Sequence, residues 1–151
     1  MSTEPMTFRV YPTPRRSGLY AIVRVFRTHK AMLQTVRAED KRDGLAERIP
    51  DDTRGCVQNF VVRNRTHGGK WKTTQLMCVV NLYRARLGMV VLAHEFGHAM
   101  FAWAKRKRLP GTFAGREDMD VEEMVLHAQS EMLRQFMVTA EKRGLYGKGR
   151  P

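Results

Sequence analysis

The run His94-Glu95-Phe96-Gly97-His98 sets two imidazoles four residues apart, with a carboxylate beside the first. On a helix, four residues make slightly more than one turn, so both rings project from one side and can take neighbouring positions on a single metal ion. Zinc suits this set, because neutral imidazoles bind it well and a catalytic site needs three protein ligands and an open position for water. The chemistry this implies is hydrolysis. Zinc lowers the pKa of its water towards about 7, and a carboxylate placed as Glu95 is accepts the proton as the water attacks a polarised carbonyl. The spacing therefore predicts His94 and His98 as ligands, Glu95 as general base and one zinc per chain. Three ionisable groups within five residues of an otherwise apolar helix would be costly without such a partner.

A third ligand must come from elsewhere in the chain. An extended histidine pattern fails, since position 104 is Ala and the motif's glycine, Gly97, lies inside the pentapeptide. The remaining candidates are Glu122, Glu123, His127 and Glu131, with Glu117 just before them. At roughly 100° per residue, Val121, Met124, Val125, Ala128, Met132 and Phe136 form an apolar face, which Leu126 and Leu133 widen on the side of Glu122. Glu122 thus borders the core and is the preferred ligand, while Glu123 points to the opposite side. His127 is read as a catalytic group that supports the transition state, with Tyr83 and Tyr146 as further candidates for stabilising the oxyanion.

Such a site needs a helix through the motif and a second helix after it. The segment 84–108 has no proline and is apolar almost all round, as in a helix buried through the middle of a domain; Lys105-Arg-Lys-Arg108 suits its negative end and Pro110-Gly111 stops it. A second helix is predicted from an N-cap at Asp120 to Gly144. The first half reads mostly as sheet: strands at 7–11, 19–26, 56–62 and 73–82, with a hairpin loop at 64–70. Residues 31–37 continue extended or begin a helix, and 39–52 are a polar connector or a short helix. The fold class is α+β, a small antiparallel or mixed sheet packed on the HExxH helix and the Glu-bearing helix. Trp71, Trp103 and the helical Met89, Met100, Met124 and Met132 are assigned to the core.

Three runs, 73–82, Val90-Val-Leu-Ala-His-Glu-Phe-Gly-His-Ala99 and Asp120-Val-Glu-Glu-Met-Val-Leu-His-Ala128, resemble the small gluzincin-type zinc metallopeptidases of the ImmA/IrrE family. The resemblance covers roughly residues 73 to 135. It implies a zincin-like fold for the single domain read over 1–145, while the basic run at 146–151 reads on its own composition as a flexible tail. It also implies His94 and His98 as ligands, Glu95 as base, and Glu122 or Glu123 as the third ligand. No helix-turn-helix of the kind often fused to such peptidases is evident.

One domain is what 151 residues allow, and 42% hydrophobic with 28% charged residues is globular rather than disordered. The N-terminus has no apolar signal core and no apolar run reaches the roughly 20 residues of a membrane span, so a cytoplasmic protein without a membrane segment is expected. Cys56 and Cys78 read as two small buried thiols. The unusual quantity is charge: +12 overall, of which +9 falls in residues 1–84. Acids are absent from Pro5 through Ala38, where Arg9, Arg15, Arg16, Arg24, Arg27, Lys30 and Arg37 alternate with Phe8, Tyr11, Tyr20 and Phe26. Such a surface could recruit nucleic acid or an acidic protein beside the peptide substrate. The alternative function is accordingly a basic nucleic-acid-binding protein with a structural or vestigial zinc site.

Overall fold

The computed structural model describes residues 4–44, 49–59, 63–109 and 118–146. Strands β1 (Met6–Val10) and β2 (Tyr20–Phe26) pair antiparallel, Met6 opposite Val25 and Val10 opposite Ala21. Helix α1 (His29–Arg42) follows, its first turn capped by Thr28, whose hydroxyl accepts from the Ala31 N–H at 3.2 Å. The short β3 (Cys56–Gln58) comes next, and β4 (Arg63–Arg65) and β5 (Trp71–Thr73) form a separate hairpin. Strand β6 (Leu76–Tyr83) then enters the main sheet, whose order is β1-β2-β6-β3. Its pairing with β2 is parallel and with β3 antiparallel, which makes the sheet mixed and β3 an edge. After a single 3-10 turn at Arg84–Arg86 come α2 (Met89–Arg106) and α3 (Asp118–Lys142).

The layers follow from side-chain alternation. On β6, Cys78, Val80 and Leu82 join Val23 and Val25 of β2 in a core that α2 and α3 cover with Leu92, Phe96, Trp103, Met132 and Phe136. On the other face, Phe26 and Tyr83 pack with Met32, Leu33 and Val36 of α1. Covered on both faces, β6 is a nearly unbroken apolar run rather than an alternating one. Asn81 is its buried polar exception: with Gln58 and Glu39 it receives the Arg24 guanidinium, which donates to Asn81 Oδ1 at 2.7 Å and in two parallel 2.7 Å bonds to the Glu39 carboxylate.

Residues 31–37, open between an extended run and a helix, are helical, inside α1, because Thr28 caps a turn and Met32, Leu33 and Val36 supply an apolar stripe at helical spacing. Several other sequence expectations need correction. The strand expected at 73–82 is two strands, broken between Thr73 and Leu76, and the long helix expected from Arg84 starts only at Met89, with Gly88 as its cap. Asp120 lies inside α3 rather than at its cap, whereas Gly144 does stand just past the helix in a left-handed conformation, φ 62°. Met100 and Met132 are core residues, but Met89 (60% exposed), Met124 (46%) and Leu126 (47%) face outward. Trp103 is buried, and Tyr146, expected in the tail, packs against the main core. Residues 60–62 of the predicted strand, Pro110-Gly111, Glu117, the side chain of Trp71 and the tail beyond Tyr146 lie outside the described residues. No helix among the described residues is long and apolar enough to cross a membrane.

Candidate metal centre

Helix α2 carries the pentapeptide in the orientation its spacing demands. Leu92, Phe96, Ala99 and Trp103 face the sheet and α3, while His94 and His98 stand exposed on the opposite side. Their Nε2 atoms are 3.2 Å apart and their ring planes perpendicular. Two nitrogens each about 2.0–2.1 Å from one tetrahedral zinc stand roughly 3.3–3.4 Å apart, so the pair fits two positions of one ion with hardly any adjustment. The same distance allows one ring to donate a hydrogen bond to the other.

Glu95 is treated differently. It points towards the β3 edge and is only 4% exposed. Room for it comes from Gly55, the residue before β3: a Cβ there would lie 2.9 Å from Glu95 Cγ and 3.0 Å from its Oε1. Burial raises the Glu95 pKa, and the neighbouring His94 opposes that shift. The buried carboxylate also helps to raise the pKa of the Cys56 thiol to about 12, a shift caused mainly by burial. On the far flank of the histidines, Gly97 lets α3 approach, and Gln129 Nε2 donates to the Ala93 carbonyl at 2.9 Å. The motif is thus clamped between β3 and α3 by two positions, Gly55 and Gln129, that no sequence pattern singled out.

The other expected site residues are not gathered here. Glu122 and Glu123 are exposed, and Glu123 Oε2 lies 3.4 Å from His127 Nε2. His127 lies about 200° round α3 from Gln129 and lines a cleft of about 300 Å3 with Pro12, Ser130 and Arg134. Glu131 is paired to Arg134 at 2.6 Å. Tyr83 stacks on His29 beneath α1, on the other face of the sheet, and the Tyr146 hydroxyl donates to Met137 Sδ at 3.1 Å. Among the described residues, no group of three His, Cys, Asp or Glu side chains is arranged to hold a metal ion. The two imidazoles fit zinc; the third position is not assembled.

No family model, curated protein or solved structure matches this chain.

The basic N-terminal run divides in two. Arg9, Arg15, Arg16, Arg27 and Lys30 are exposed. Arg24 is committed to Glu39, Asn81 and Gln58, and Arg37 to Asp51 and the Ile49 carbonyl. Of the four aromatics that could have stacked on bases, Phe8 and Phe26 are buried in the two cores, while Tyr11 and Tyr20 are half-buried with their rings 6.0 Å apart.

Proposed function

We propose that this chain is a zinc-dependent metallopeptidase of the small gluzincin type that its sequence resembles. The observation that carries the reading is the 3.2 Å separation of His94 Nε2 and His98 Nε2 on an exposed helix face, with Glu95 buried at their side. His94 and His98 would hold the ion; Glu122, exposed on α3 and apart from the pair in this arrangement, would have to be brought up to them as third ligand, in preference to Glu123, which is engaged with His127. When bound, zinc acidifies water and polarises the scissile carbonyl. Glu95 takes the proton from the attacking water and delivers it to the departing amide nitrogen as the C–N bond breaks. The backbone of the β3 edge, one residue beyond Gly55, holds an extended peptide by strand addition, which sets its carbonyl beside Glu95.

The test pairs metal analysis with cleavage of a peptide library. The wild type binds one zinc; His94→Ala and His98→Ala lose it, and Glu122→Ala loses it while Glu123→Ala does not. Glu95→Gln keeps zinc and fold but loses cleavage by at least about a hundredfold. Full activity in Glu95→Gln, or stoichiometric zinc in all four alanine variants, overturns the reading. Exposed Arg9, Arg15 and Arg16 support the second reading, nucleic-acid binding. That activity would fall steeply with salt, weaken in Arg15→Gln/Arg16→Gln and ignore Glu95→Gln.

A further inference from the structure

Helix α2 was expected to be buried all round, and it is not. Val90, His94, His98, Phe101 and Lys105 follow one another at spacings of four, four, three and four, which makes one stripe, and every member is exposed, Val90 at 83% and Phe101 at 61%. Beyond His98 the stripe enters a groove of about 510 Å3 between the C-terminal half of α2 and the chain that leaves β3. Asn59 lies at the β3 side, Met77 and Phe101 provide apolar surface, and Lys105, Arg106 and Arg108 supply cations; none of its lining residues is acidic. That absence of acid holds for the described lining residues; among them Arg106 is held in place, donating to the Thr74 and Leu76 carbonyls at 2.6 and 3.0 Å. Lys105 and Arg108 are exposed.

Arg108 has a second peculiarity. All three α-helices among the described residues end on a residue in the left-handed region: Gly44 after α1 (φ 73°), Gly144 after α3 (φ 62°) and Arg108 after α2 (φ 55°). The hydrogen bonds match at the last two ends. Arg108 N–H donates to Lys105 O and Leu109 N–H to Ala104 O, as Gly144 N–H does to Glu141 O and Leu145 N–H to Ala140 O. Glycine is the residue that this position favours, and an arginine there is conformationally disfavoured. A guanidinium is thus kept at the rim of a cationic groove against the local backbone preference, a preference from which Arg16 (φ 49°) in the β1–β2 connection also departs.

We propose that this groove receives an acidic, extended stretch of the polypeptide substrate, with an apolar side chain against Phe101 and Met77 and carboxylates at Lys105 and Arg108. The proposal rests on the metallopeptidase reading only in calling that polypeptide a substrate. A strand added to the β3 edge continues towards Asn59 and so into the groove, and the lining complements negative charge alone. The cavity is also of the size of ligand clefts, about 300–1,000 Å3.

The test is fluorescence anisotropy in 0.15 M salt with a labelled peptide in which glutamates flank a phenylalanine, beside the same peptide with lysines for glutamates. The wild type binds the glutamate peptide and takes the lysine peptide far more weakly. Arg108→Gly weakens binding by about threefold and Lys105→Gln/Arg108→Gly by about tenfold, as expected for two exposed charges, while the melting temperature of Arg108→Gly stays level or rises. Arg15→Gln/Arg16→Gln leaves binding unchanged. The proposal falls if the wild type does not bind the glutamate peptide, if the groove variants bind as well as wild type, if the Arg15/Arg16 pair costs as much, or if a thymidine oligonucleotide binds the groove more tightly than the peptide. Groove-dependent binding by a protein that cleaves nothing removes the peptidase reading alone, and cleavage indifferent to Lys105 and Arg108 removes the groove alone.

Discussion

Gly55 and Glu95 are in contact so close that a methyl group at Gly55 would lie 2.9 Å from the Glu95 side chain. The last residue before an edge strand therefore sets the position of the carboxylate on the neighbouring helix. Gly55→Ala forces Glu95 to move within a packed site, at a stability cost of about 1–3 kcal/mol. Displacing a catalytic group by about 1 Å can lower turnover by a factor of about 10². Steady-state kinetics with zinc analysis checks this: cleavage falls while zinc content holds, since His94 and His98 lie on the exposed side. Loss of zinc with cleavage retained would contradict the role given to Gly55.

Gly97 makes the opposite prediction. It lies inside α2, and a Cβ there would meet Gln129 Nε2 at 3.6 Å, an ordinary contact. Gly97→Ala removes the helix penalty of glycine without a clash and raises stability by about 0.5–1 kcal/mol, readable by urea unfolding. A fall in stability would mean that Gln129 cannot keep its bond to the Ala93 carbonyl.

Arg24 is the hub of the polar cluster on the α1 side of the sheet. Arg24→Met leaves Glu39, Asn81 and Gln58 without their common donor and costs about 2–4 kcal/mol. The hydrogen bonds from Arg24 hold the Glu39 pKa below its usual 4.5. A depressed folded-state value means stability that is present above about pH 4.5 and lost as the pH falls through the lowered folded value. Acid unfolding of the wild type therefore shows a fall in stability in that window, which Arg24→Met flattens.

Both thiols are expected to resist alkylation, although Cys56, read as buried from the sequence, is only half-buried while Cys78 is buried. Burial raises Cys56 and Cys78 to about 12. At pH 8 only about one part in 10⁴ of such a thiol is thiolate, the reactive form. Iodoacetamide should label the native protein more slowly than the urea-unfolded chain by about three orders of magnitude, as followed by mass spectrometry. Rapid labelling of Cys56 in the native state would show that the β3 edge opens.

Local spacing made much of this protein legible in its sequence. His94 and His98 share a helix face because four residues are one turn, whatever packs around them, and Gly144 ends its helix because the backbone there needs a positive φ. The α+β class follows from apolar periods that switch from two to near 3.6, whereas the choice between an antiparallel and a mixed sheet was made only by the pairing of β6, parallel to β2 and antiparallel to β3. The tertiary structure decided what depends on residues distant in sequence: that Gly55 makes room for Glu95, that Gln129 rather than Glu122 or His127 reaches the HExxH segment, and that Arg24 faces Glu39 instead of solvent. It also decided which side of an all-round apolar helix is left open. An apolar count cannot say where the sheet and α3 stop covering α2, because that is fixed by the packing of partners up to 40 residues away, and the uncovered side is the one that holds the histidines.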